Sequence, residues 1–191
     1  MNYLFFTILV SLTVSSQVVC QEESHPSFLK ADNDWSSEII VLPVDWAPGM
    51  TVTGYEELLF APGWSDPKSD CFWSLVMGWK LEARESLDTR LISENLKYYY
   101  DGLMKPNHWA TEFPDPIVYL DMLSKDDFTT TYTGKLVVFD GFHTGKIIEL
   151  NIRARQQFDK DSEQTFIIIQ FSTQSLEHTI WKELGSVVLK T

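Results

Sequence analysis

The stretch from Lys146 to Phe158 leaves this chain the fewest choices. Ile148, Leu150, Ile152 and Ala154 alternate there with Glu149, Asn151, Arg153 and Arg155. Successive side chains of a strand point to opposite faces, so this segment is read as a strand with one dry and one wet side. That arrangement belongs to antiparallel sheets. Asp159-Lys-Asp-Ser162 supplies a turn, and Phe166-Ile-Ile-Ile-Gln-Phe171 is expected to pair back. A sheet with a dry face needs a cover, and the remaining chain must provide it.

The rhythm changes once, upstream. Leu87, Leu91, Ile92, Leu96, Tyr99, Tyr100 and Leu103 recur at three- and four-residue steps, which predicts an amphipathic helix. Ser86 or Asp88 is placed to cap its start, and Pro106 lies just past its end. Strand-length apolar runs precede it at Glu38–Val44, Tyr55–Phe60 and Cys71–Trp79, and follow it at Ile117–Met122 and Thr129–Phe139. Ile180, Trp181, Leu184, Val187 and Val188 suggest a closing helix with Ser175 as its cap. The expected order is β-β-β-α-β-β-β-β-α. The fold class is therefore α+β: a single-domain sandwich of about six or seven mostly antiparallel strands, its apolar face covered by two helices.

The first twenty residues read as an address. Residues 1–20 carry no charged side chain, and Tyr3 to Val14 is a mostly apolar run of signal-peptide length, short of the roughly 20 residues of a bilayer span. A secreted or periplasmic location is expected. Cleavage before Gln17 and cleavage before Gln21 both fit, and a lipid on Cys20 is the third reading, which alone would attach the chain to a membrane. Residues 21–36 are polar and acidic, expected as a flexible leader, and 37–191 as the single folded domain. The other cysteine, Cys71, has acidic Asp70 beside it and no cation to stabilise a thiolate, so it is read as structural. A Cys20–Cys71 disulfide becomes possible if Cys20 survives processing.

Composition excludes several functions. With 15 basic and 27 acidic residues the net charge is −12, which argues against nucleic acid as a partner. Aromatic residues make up 14%, including seven Trp, too many for a disordered chain. The sequence has no Gly-x-Ser-x-Gly elbow, phosphate-binding loop or His-Glu-x-x-His. Carboxylate pairs such as Glu56-Glu57 say little in so acidic a chain.

One stretch carries a resemblance. Glu57-Leu-Leu-Phe-Ala-Pro-Gly-Trp-Ser-Asp-Pro67, followed by Phe72-Trp73-Ser74 and Trp79, resembles a group of uncharacterised secreted bacterial proteins. In these, a Phe-Ala-Pro-Gly segment and an Asp-Pro precede an aromatic strand and then a helix. The resemblance spans Tyr55 to Leu103. It implies a compact secreted domain and no particular activity.

Candidate contacts come from loops. Trp46 and Trp64 each stand beside a Pro-Gly break, where loops gather at a sheet end. A ring exposed there would stack on a sugar or an apolar ligand; the competing reading has both rings capping the core. His108 and Glu112 have the spacing of two ligands on one helical face, but Pro106 and Pro114 favour a loop. His143 lies in the hairpin tip Asp140-Gly-Phe-His-Thr-Gly145, and Trp73 and Trp79 are core candidates pointing the same way from one strand. Asp66, Asp70 and Asp126-Asp127 are read as turn residues rather than a calcium site. Arg153 and Arg155 are expected to pair with carboxylates across strands.

The ligand-contact candidates are Trp46, Trp64, His108, Trp109 and Glu112, with no catalytic residue assigned and no metal or cofactor expected. The leading expectation is an exported, non-catalytic binding or assembly domain whose ligand or protein partner is unknown. The alternative is a small secreted hydrolase using carboxylates or His108 in a loop-built cleft.

Overall fold

A computed structural model describes residues 25–31, 34–83, 85–105 and 113–190. The proposed signal segment, Cys20, His108, Trp109 and Glu112 lie outside the described residues. The elements are β1 (Leu29–Lys30), β2 (Ser36–Leu42), β3 (Gly54–Phe60), β4 (Leu75–Leu81), α1 (Thr89–Met104), β5 (Ile117–Lys125), β6 (Thr129–Asp140), β7 (Lys146–Asp159), β8 (Gln164–Ser172), α2 (Ile180–Ser186) and β9 (Val188–Leu189). Seven strands form one antiparallel sheet in the order β2-β3-β4-β8-β7-β6-β5, and β1 pairs with β9 in a separate two-stranded ribbon. The α+β sandwich expected from the sequence is the fold observed.

Strand β7 behaves as its alternation requires. Leu150, Ile152 and Ala154 are buried, while Glu149, Arg153 and Arg155 are exposed. Helix α1 begins where a carboxylate can accept its free backbone donors: Asp88 Oδ1 takes the Leu91 N–H at 2.7 Å. Its stripe of Ile92, Leu96, Tyr99, Tyr100 and Met104 buries against β3, β4, β8 and β7, whose contributions include Leu58, Met77, Trp79, Phe171 and Leu150. By exposed-area bookkeeping each such side chain contributes about 2 kcal/mol.

The structure departs from the expected local pattern at several places. The two helices do not share one face. Val76 and Ile168 alternate with the residues facing α1 and pack on the opposite side with Phe28, Ile180, Trp181 and Leu184, so β4 and β8 are dry on both faces. The closing helix is also shorter than its spacing suggests. Ser175 does not cap it, Thr179 stands at its N-terminus, and Val188 leaves the helix for strand β9 because Lys30 offers it a backbone partner. His178 precedes α2 and accepts the Ile180 N–H on Nδ1 at 3.2 Å. Finally, β4 starts at Leu75 rather than Cys71. Residues 71–74 turn back onto the preceding loop, the Trp73 N–H donating to the Trp64 carbonyl at 2.8 Å and the Ala61 N–H to the Ser74 carbonyl at 3.1 Å.

The segment expected as a loose leader contains β1, and Phe28 and Leu29 are buried. Glu57 holds them there. Its carboxylate accepts the Ser27 hydroxyl at 2.5 Å and the backbone N–H groups of Phe28 and Leu29 at 2.7 and 2.8 Å. Among the described residues no helix is long and apolar enough to cross a membrane.

Candidate functional site

Trp46 and Trp64 come from connections at opposite ends of the β2–β3 hairpin, since Leu42 pairs with Gly54 at one end and Ser36 with Phe60 at the other. They do not gather at one sheet end as expected, yet both line one cavity of about 520 Å³. The long connection from Pro43 to Thr53 makes this possible. Its apolar Val44, Ala47, Met50 and Val52 are buried, which draws it across the sheet face beneath α1. A buried amide on α1 then fixes it: Asn95 Oδ1 accepts the Thr51 and Val52 N–H groups at 2.8 and 3.2 Å. Gly102 lets the helix approach, because a Cβ there would lie 2.1 Å from the Trp46 carbonyl oxygen.

The floor of the cavity is Glu38 and Ile40 of β2, Leu58 and Phe60 of β3, and Leu75 and Met77 of β4. Its walls are aromatic. Trp46 meets Tyr99 edge to face at a centroid distance of 4.8 Å, and Tyr99 meets Tyr100 at 5.4 Å. Trp64 lies over Phe60 at 4.5 Å and edge-on to Trp73 at 6.0 Å. Phe142, from the β6–β7 hairpin, completes the lining.

That hairpin is built on Asp140, as the turn reading of the sequence suggests. Its buried carboxylate accepts the N–H groups of Phe142, His143 and Thr144 and the Thr144 hydroxyl. Gly145 takes φ +62°, a conformation costly for a residue with a Cβ. The tip inserts His143 among Trp64, Phe72 and Trp73, with ring centroids 5.3 to 5.9 Å away.

Trp73 is the unusual member. It is 2% exposed and sits at φ +52°, a genuine outlier for a bulky residue. Strain of this kind costs on the order of 1–3 kcal/mol and persists only where the surroundings over-determine it. The Trp64 carbonyl and the burial of a large indole supply that here. The Trp73 indole N–H and His143 Nε2 are both buried and have no hydrogen-bond partner among the described residues.

Behind Tyr99 lies a carboxyl that no local sequence motif singles out. Glu56 is fully buried on β3, its Oε1 accepting the Tyr99 hydroxyl at 2.7 Å and its Oε2 the Trp79 indole N–H at 3.2 Å. Burial pushes its carboxyl up to about 7, the two hydrogen bonds oppose the rise, and Glu38 adds a smaller push upward. Burial and the neighbouring Glu56 raise the Tyr99 hydroxyl well above the ordinary tyrosine value.

The other sequence candidates fall elsewhere. His25 stacks on Tyr55 at 4.5 Å. Asp66 and Asp126 accept backbone N–H groups within their own turns. Among the described residues no group of three or more His, Cys, Asp or Glu stands close enough to hold a metal ion. Burial, then the charge of Glu183, pushes the Cys71 thiol above its ordinary value, the opposite of activation. Among the described residues Arg153 makes no carboxylate pair of the expected kind; it lies over the Trp181 ring at 5.0 Å and donates to the Leu176 carbonyl, while Glu149 pairs with Lys135 at 2.6 Å.

Compared with known proteins, the chain matches no family model, no curated protein and no solved structure.

Proposed function

We propose that this chain is an exported, non-catalytic binding domain that takes a small, largely apolar ligand into the aromatic cavity between β2–β4, α1 and the β6–β7 hairpin. The observation that carries the reading is Trp73, a strained and buried residue lining that cavity with an indole N–H that lacks an acceptor among the described residues. Strained backbone clusters at ligand sites, and an orphaned buried donor is costly unless something supplies its acceptor. The size supports the same reading, since small-molecule sites usually enclose roughly 300–1,000 Å³ behind apolar walls with a few polar groups. Export is the premise supplied by the apolar N-terminal run.

Glu56 is the carboxyl whose proton affinity best suits acid–base chemistry near neutrality. Both of its oxygens are engaged by Trp79 and Tyr99, which supports a structural rather than a catalytic role.

The test is a thermal-shift and Trp-fluorescence screen of the full chain against small, largely apolar compounds, neutral and charged, including indole, cyclohexanol and tetramethylammonium. A ligand that binds only the native form at 100 times its Kd stabilises by about 2.7 kcal/mol. At least one compound is expected to raise Tm and quench fluorescence, and Trp46→Leu and Trp64→Leu should each weaken it. A screen in which nothing binds, or binding indifferent to both substitutions, would refute the reading.

A further inference from the structure

We infer that this cavity selects a compact organic cation of the quaternary-ammonium class over a neutral ligand of the same shape, an inference that rests on the binding reading above. Trp46, Trp64, Trp73, Tyr99, Tyr100 and Phe142 line it. The faces of such rings carry the negative part of their quadrupole, and they attract cations most strongly where water is excluded. Glu38 is the sole charged residue among the described lining residues, and none of them is Lys, Arg or His. It stands on β2 directly opposite Leu58 of the cavity floor. The arginines Arg153 and Arg155 line a different cavity on the other face of the sheet. The net charge of −12 further raises the local concentration of cations.

The wall chemistry narrows the cation. A metal ion needs several oxygen ligands, and a primary ammonium brings three donors that must each find an acceptor. The Tyr99 hydroxyl is committed to Glu56, and the rest of the lining is largely apolar. A quaternary ammonium has no N–H to satisfy, its methyl groups suit a wall of rings, and a hydroxyl on the same cation, as in choline, would offer the Trp73 indole N–H an acceptor.

The decisive comparison is choline against its neutral carbon isostere, in which a tert-butyl group replaces the trimethylammonium, each titrated into the full chain by calorimetry and Trp quenching. Choline should bind about tenfold or more tighter. Glu38→Gln, at an exposed position on the cavity floor, should weaken choline several-fold more than it weakens the isostere and so shrink the preference, with circular dichroism confirming the fold. Equal affinities, or binding of the neutral compounds without choline, would overturn the cation inference and leave the binding reading intact. Failure of every compound, charged and neutral, would overturn both.

Discussion

Replacing Glu56 with Gln should remove a specific slope from the pH dependence of stability. The folded carboxyl sits at about 7 and its ordinary value is 4.5. Between these values the native state holds a proton that the unfolded state has released, so stability falls as pH rises. The contribution is fully present below about pH 4.5 and is lost by the time pH has passed about 7. At 1.36 kcal/mol per pH unit the total is about 3 kcal/mol. Gln keeps the buried partners satisfied: its Oε1 accepts the Trp79 N–H, and its amide donates to a Tyr99 hydroxyl that has turned round. Other carboxylates titrate in the same range, so the quantity to read is the difference between the two proteins. Urea unfolding followed by Trp fluorescence at pH 5 and pH 8 should show the wild type losing about 2.5 kcal/mol relative to Glu56→Gln, since part of the total is already lost at pH 5. With a urea slope of about 2 kcal/mol/M, that is a midpoint difference of roughly 1.2 M. Parallel pH profiles for the two proteins would refute the account of Glu56 as a carboxyl protonated by burial.

Glu57, its neighbour on β3, should act on the opposite face. Glu57→Ala strands the N–H groups of Phe28 and Leu29 and should cost about 3 kcal/mol, with faster hydrogen exchange at those two amides; unchanged protection there would contradict the staple. Two helical glycines should respond in opposite directions. Gly102→Ala drives a Cβ against the Trp46 carbonyl and should destabilise by about 2 kcal/mol despite better helix propensity, whereas Gly185→Ala meets nothing within 4 Å and should stabilise by about 0.5–1 kcal/mol. Denaturant midpoints measure both, and equal responses would show that helix packing at Trp46 is looser than described.

What the sequence made legible was what neighbours in the chain determine. The alternation of β7 and the helical stripe of α1 each follow from a single surface, dry on one side, so local spacing suffices. Val188 carries a helical spacing yet forms a strand, because its partner, Lys30, is far away in the chain and sits in a segment too polar to announce a strand. The Glu56-Glu57 pair shows the same limit more sharply. Two acids inside the apolar run from Tyr55 to Phe60 were a signal, because burial of an unpartnered carboxylate is expensive. Their partners, Tyr99 and Trp79 for one and Phe28 and Leu29 for the other, lie 23 to 43 residues away, and no local pattern names them. Trp46 and Trp64 were recognisable as loop rings beside Pro-Gly breaks; their meeting in one cavity depended on the buried connection between β2 and β3.

The same long-range polar contacts bear on the proposed recognition, because they hold the cavity walls in place. Each wall is tied down by a buried hydrogen-bonding group: the Trp46 connection by Asn95, Tyr99 by Glu56, Phe142 by the Asp140 turn, and Trp64 to Trp73 through a backbone bond. Ordering side chains at the moment of binding costs about 0.5–1.5 kcal/mol for each one immobilised. Here folding has already fixed these rings, so a ligand would meet a surface with little left to order. The cost has been moved into the fold, where the positive φ of Trp73 and the buried carboxyl of Glu56 are its visible traces. Loosening one tie should therefore weaken binding through a wall that the ligand touches, even when the altered residue is one it never reaches. Asn95→Ala makes the cleanest case, since it frees the Thr51 and Val52 N–H groups without changing any residue of the cavity lining.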